Sequence, residues 1–194
     1  MTNTKDLTLQ SYNIINSTAN SNVVLQGLSG FFGFPTTIIA DGVTIFTHYA
    51  PMLDKIRILY GREPLSKEVL VPMLKKITSE LIFDLVFDKA AGQIPIAGIY
   101  FNAICAKALT WRLGILFTIC SSLENDITNT ETLSKTIALI RNVFPQKDIF
   151  KFTKPDYNTY KKIMSSIAND KQEAFTDKLN EALKAFEVWI IKSL

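Results

Sequence analysis

The sequence predicts an all-α fold, a single-domain helical bundle built around one long apolar helix at about 94–123. Three observations carry this. The stretch AGQIPIAGIYFNAICAKALTWRLGILFTICSSL, residues 91–123, is apolar almost throughout and holds only Lys107 and Arg112 as charges. The segments on either side repeat apolar residues at three- and four-residue spacing, the period of a helix with one face inward. Finally, no period-two alternation bounded by hairpin turns is found, so no sheet competes.

Length and composition agree with this. A chain of 194 residues suits one domain with a real core, with 34–123 as the helical core and 124–194 as C-terminal helices packed on it. The apolar fraction is 47% and the mean hydropathy is +0.16, which predicts heavy burial or some apolar surface meeting lipid. The net charge is +3, and the excess of basic residues lies between Pro145 and Lys162. No basic n-region leads into an apolar run at the N-terminus, so no secretory signal is expected.

Taken in order, Leu7, Leu9, Tyr12, Ile14 and Ile15 predict a short amphipathic helix over 4–17, loosely docked, with NSTANSN after it as a polar break. Residues 22–40 are uncharged but punctuated by Gly27, Gly30, Gly33 and Pro35, which predicts two helical pieces meeting at Phe34 and Pro35. The second piece is kinked or restarted at Pro51, and its stripe of Leu53, Ile56, Leu59 and Tyr60 stops at Gly61. From Ser66 an amphipathic helix follows, with Val69, Leu70, Met73, Leu74, Ile77, Leu81, Ile82, Leu85 and Val86 inward and Lys75, Lys76, Glu80 and Asp84 outward. Pro72 falls in its first two turns, where a missing N–H costs little.

The central helix opens at Pro95, and proline is at home in a first turn because it has no N–H to lose. Beyond it, Thr130 or Asn129 caps a helix carrying Leu133, Ile137, Leu139, Ile140 and Val143, which Pro145 ends. Helical spacing resumes after Pro155 with Tyr157, Tyr160, Ile163, Met164 and Ile167. A last amphipathic helix is expected over 170–192.

Candidates for chemistry are few. His48, the only histidine, stands in IFTHYAP without a carboxylate or cysteine cluster at ligand spacing, and reads as a core or interface residue. Cys105 and Cys120 lie on one helix with their backbones about 22 Å apart at 1.5 Å per residue, so they do not bridge and read as small core residues. The glycines of GLSGFFGF spell neither a phosphate loop nor a nucleophile elbow. Asp54 with Arg57, and Asp84 with Asp88, read as solvated faces. No metal or cofactor is expected, and no nucleic acid.

One stretch has the makings of a contact surface. Residues 146–162 interleave Lys147, Lys151, Lys154, Lys161 and Lys162 with Phe150, Phe152, Tyr157 and Tyr160. Such a pattern holds anionic lipid headgroups or, less favoured, single-stranded nucleic acid, or is a charged connector anchored by core aromatics. With the apolar Phe31, Phe32 and Phe34, the residues Lys147, Phe150, Lys151, Phe152 and Lys154 are the candidate membrane or partner contacts. A complete membrane span is disfavoured, because glycine and proline break residues 22–40 and the run from Ala90 to Ala106 holds Gln93 and Asn102. Lys107 and Arg112 would each cost about 3 kcal/mol at a bilayer centre.

A pattern of "kIa-x-x-YG", a helix, "iP-x-x-G" and an alanine-rich helix ending in a threonine and "x-x-x-G" is matched by Lys55, Ile56, Tyr60 and Gly61, then by Ile94, Pro95, Gly98, Ala103, Ala106, Thr110 and Gly114. On those residues, 34–120 resembles the YcjF-like helical domain of unknown function that accompanies bacterial GTPases. The resemblance implies a membrane-associated accessory module, fused to or encoded beside a GTPase. The chain has no nucleotide-binding motif, so such a GTPase would act in trans, and residues 124–194 have no counterpart in the resemblance.

The resulting expectation is a non-enzymatic helical module in the bacterial cytoplasm, peripheral to the inner membrane or bound to a protein partner. Two alternatives stand beside it, a membrane-inserting or permeabilising effector and an enzyme of unrecognised type.

Overall fold

The computed structural model describes residues 4–28, 42–82, 95–123, 127–143 and 154–168. They form six helices and no strands: α1 (Thr4–Leu28), α2 (Gly42–Leu59), α3 (Lys67–Ile82), α4 (Pro95–Ser122), α5 (Thr130–Val143) and α6 (Tyr157–Ala168). The all-α architecture follows as the helical periodicity predicts. The junction at Phe34 and Pro35, the carboxylates Asp84 and Asp88, and the final helix over 170–192 lie outside the described residues.

α4 is the axis. Apolar on every side, it has no face to turn to water, and every residue from Ala108 to Ser121 is buried. Each of the other five helices touches it. Pro95 stands first among its described residues. Both cysteines sit within it, buried and not joined by a disulfide, and burial pushes the Cys105 thiol up to about 12.

The expectation for the N-terminus is corrected. α1 is one continuous helix of 25 residues through the expected break, and its contact with α4 is the most extensive between any two helices. Polar residues at 16–22 weaken a helix when their side chains compete for the backbone. Here Thr18 and Ser21 donate to the carbonyls of Ile14 and Ser17, four residues back, and leave the ladder standing. Asn22 is enclosed against α4, where its Nδ2 donates to Thr110 Oγ1 at 3.1 Å.

α2 continues through Pro51, which is exposed, and does not restart there. Gly61 closes it with φ +72°, a left-handed conformation that glycine adopts without strain. The amides of Gly61 and Arg62 reach back to the carbonyls of Ile58 (3.0 Å) and Arg57 (2.8 Å), a Schellman stop. α3 buries Leu70, Leu74, Ile77 and Leu81, whereas Val69, expected inward, is 48% exposed in the first turn. Of the two caps proposed for α5, Asn129 serves, its Oδ1 accepting from the Thr132 amide at 2.9 Å. Asp156 does the same for α6, accepting from the Thr159 amide and hydroxyl.

Candidate functional site

Of the expected contact residues, Phe31, Phe32, Phe34, Lys147, Phe150, Lys151 and Phe152 lie outside the described residues, and Lys154 is placed. Lys154 sits just before α6. Its ammonium donates to Asn16 Oδ1 of α1 at 2.8 Å and lies 5.8 Å from the centroid of the Tyr12 ring, within cation–π range. Tyr12 is the hub of this corner. Its ring meets Trp111 (5.2 Å), Tyr160 (5.5 Å) and Tyr157 (5.6 Å), and its hydroxyl donates to the Pro155 carbonyl at 3.2 Å. The described part of the basic aromatic stretch is therefore anchored on α1. Tyr160 is fully enclosed and Tyr157 half-buried, so these two rings serve packing, while Lys154 and Lys162 are exposed residues beside them.

Behind this corner runs a buried hydroxyl seam that the sequence reading did not anticipate. Ser11 Oγ and Tyr160 Oη are 2.7 Å apart, and Tyr160 donates to Thr118 Oγ1 at 3.1 Å. Thr118 and Thr110 donate to the carbonyls of Gly114 and Ala106. Burial raises the Tyr160 phenol well above its ordinary value, with Ser11 and Thr118 opposing. Tyr49 is also enclosed and similarly raised beside Thr110, yet its hydroxyl has no hydrogen-bond partner among the described residues. The signal for this seam was present in α1, where Thr8, Ser11, Ile15, Ala19 and Asn22, all buried, recur at three and four.

Three arginines grip main-chain carbonyls. Arg112, 2% exposed in the middle of α4, donates through Nη1 to the Leu81 carbonyl of α3 (2.7 Å). Arg62 reaches the carbonyls of Ser121 and Leu123 at the C-terminus of α4, where unpaired carbonyls and the negative end of the helix dipole favour a cation. Arg57, expected on a solvated face, is 4% exposed and donates through Nε to the Glu63 carbonyl at 2.7 Å, fastening the connector. Burial raises the Asp54 carboxyl and Arg57 works against that rise.

His48 is half-buried, edge-on to Tyr49, and burial holds its imidazole below the ordinary value. Among the described residues no three His, Cys, Asp or Glu side chains cluster as metal ligands would. Among the described residues the exposed large apolar side chains, Leu9, Ile58 and Val69, belong to three different helices. Comparison with family models, curated proteins and solved structures finds no match. Three of the residues matched to the YcjF-like pattern have structural work: Gly61 turns the chain, Thr110 receives Asn22, and Gly114 admits Ile15. The arrangement holds helices in register and presents lysines at its edge.

Proposed function

We propose that the chain is a non-enzymatic helical module that acts by contact, associating peripherally with an anionic membrane surface. The observation that carries this reading is the use made of α4. Its C-terminal half, from Ala108 to Ser121, is buried among neighbouring helices, and the buried arginines are engaged by carbonyls of the fold. Function then resides on the outside, where exposed Lys154 and Lys162 flank the docked rings of Tyr157 and Tyr160. A cytoplasmic site at the inner membrane accords with this. A GTPase acting in trans as the protein partner is supported by the resemblance of residues 34–120 to the YcjF-like domain.

Flotation with anionic vesicles at low and high salt tests the membrane version. Binding at low salt that weakens at high salt is expected. A protein that stays in the bottom fraction under both conditions ends that version and leaves the protein partner.

One observation favours a second reading, that of an inserting effector. Ala103–Ser122, 20 residues, is long and apolar enough to cross a membrane, although most of it is enclosed by the fold. Insertion would require α4 to leave its partners and carry Arg112 into lipid. Dye release from loaded vesicles would support this reading, and inert vesicles would count against it.

A further inference from the structure

We infer that α6 is a releasable membrane anchor, which undocks from α1 and α4 and lies in the interface of an anionic bilayer with its apolar face turned into the lipid. This rests on the peripheral membrane reading above and names the element that carries it. The first ground is attachment. Among the described residues α6 has the least contact with the rest of the bundle, and of the five helices around α4 it touches α4 least. Several of its fastenings are polar. Lys154, just before it, donates to Asn16, and the Pro155 carbonyl accepts from Tyr12. Tyr160 shares a hydrogen bond with Ser11 and donates to Thr118. Its own N-terminal cap, Asp156 on the Thr159 amide, is local and stays with it on release.

The second ground is the division of α6 into two faces. Tyr157, half-buried, and Tyr160, Ile163 and Met164, all buried, form one stripe at three- and four-residue spacing, whereas Asn158, Lys162 and Ser165 are exposed, with Lys161 beside them. Rings and aliphatic side chains on one side and ammonium groups on the other suit a helix lying in a membrane interface, its lysines on the headgroup phosphates. The other short helix, α5, differs: it buries Leu133, Ile137 and Ile140 without a ring, and its Lys135 is paired with Glu131 at 2.8 Å. In water, release would expose the apolar stripe of α6, and this keeps it docked. A bilayer takes up that stripe, while water satisfies Ser11, Thr118 and the Tyr12 hydroxyl left behind.

The full chain on vesicles of phosphatidylglycerol and phosphatidylcholine, doped with a phosphatidylcholine that carries a diazirine in its acyl chain, tests this. Photolabelling is expected on Tyr160, Ile163 or Met164, each 3% exposed or less in the docked protein. Floated protein without label on these residues overturns the inference and leaves surface binding through the lysines. Wild-type protein that does not float overturns the membrane reading and the inference with it. Affinity supplies a second measure. Ser11→Ala and Tyr12→Phe each remove a docking bond, leave the sequence of α6 intact, and should tighten vesicle binding about fivefold, because apparent affinity scales with the undocked fraction. Thr136→Val removes a buried hydroxyl bond within α5 and should leave vesicle binding unchanged. Unchanged affinity in the first two variants, or equal tightening in the third, would also overturn the inference. Should Ser11→Ala not fold, Tyr12→Phe and the wild-type labelling decide.

Discussion

Ile15 of α1 occupies the space that a side chain at Gly114 of α4 would need. A Cβ on Gly114 would lie 2.5 Å from Ile15 Cγ1 and 2.8 Å from Cγ2. Both atoms belong to a β-branched side chain with little freedom to turn away. Gly114→Ala should therefore destabilise the fold, since overpacking costs about 1–3 kcal/mol and the better helix propensity of alanine returns only about 1 kcal/mol. Ile15→Ala alone should cost about 2–5 kcal/mol through the cavity it leaves. In that background, Gly114→Ala becomes neutral or stabilising. Urea denaturation of the four proteins of the cycle measures the coupling, and simple additivity would refute the contact.

Arg62→Ala should lower stability by about 1–3 kcal/mol, because it removes a charged donor from the carbonyls of Ser121 and Leu123 at the end of α4. Arg62→Lys should recover only part of this, since an ammonium lacks the planar fork that addresses two carbonyls at once. Thermal unfolding of both variants at low and high salt gives the comparison. Equal stability of the lysine and wild-type proteins would argue against a two-carbonyl grip.

Tyr49 and Tyr160 should respond oppositely to loss of their hydroxyls. Tyr49→Phe removes a buried hydroxyl that has no hydrogen-bond partner among the described residues and should stabilise by about 1 kcal/mol, whereas Tyr160→Phe breaks the bonds to Ser11 and Thr118 and should destabilise by a similar amount. Both phenols have folded values raised by burial. Their contribution is thus fully present below the ordinary tyrosine value near pH 10 and is lost as pH rises above it, because only the unfolded chain ionises there. Urea titrations at neutral pH and at about pH 11 should show a steep loss for the wild type and a shallower one for each Phe variant.

The His48 imidazole has a folded value lowered by burial. Its contribution is present above the ordinary value of about 6.5 and decreases as pH falls below it, when the unfolded chain takes up the proton first. His48→Gln should flatten the stability profile on the acid side, as read by urea unfolding across that range. In cells, His48→Ala should leave the phenotype intact. Loss of function in a folded His48→Ala protein would instead favour the enzymatic alternative.

Much of the frame was legible in the sequence because its signals are local. Gly61 marks the end of α2 by its own backbone constraint. The stripe Leu70, Leu74, Ile77 and Leu81 needs only helical periodicity to declare its inward face. What escaped is what depends on distant partners. Asn22 reads as a helix breaker until Thr110, 88 positions away, accepts its amide. Arg57 reads as a charge for water until the chain folds a carbonyl onto it. For the contact surface, Tyr157 and Tyr160 have the same spacing whether they face lipid or Tyr12, so the pattern of lysines and rings left both readings open.

The bonds of Ser11 and Asn22 act on α1 as two marks on a ruler laid against α4. One mark aligns with Thr118 through Tyr160, the other with Thr110. Inserting or deleting a single residue between them would rotate one mark by about 100° around the helix and leave both from matching together. The spacing from 11 to 22 is therefore fixed by the molecule's own gauge, and length changes there should abolish folding even when every inserted residue is a good helix former.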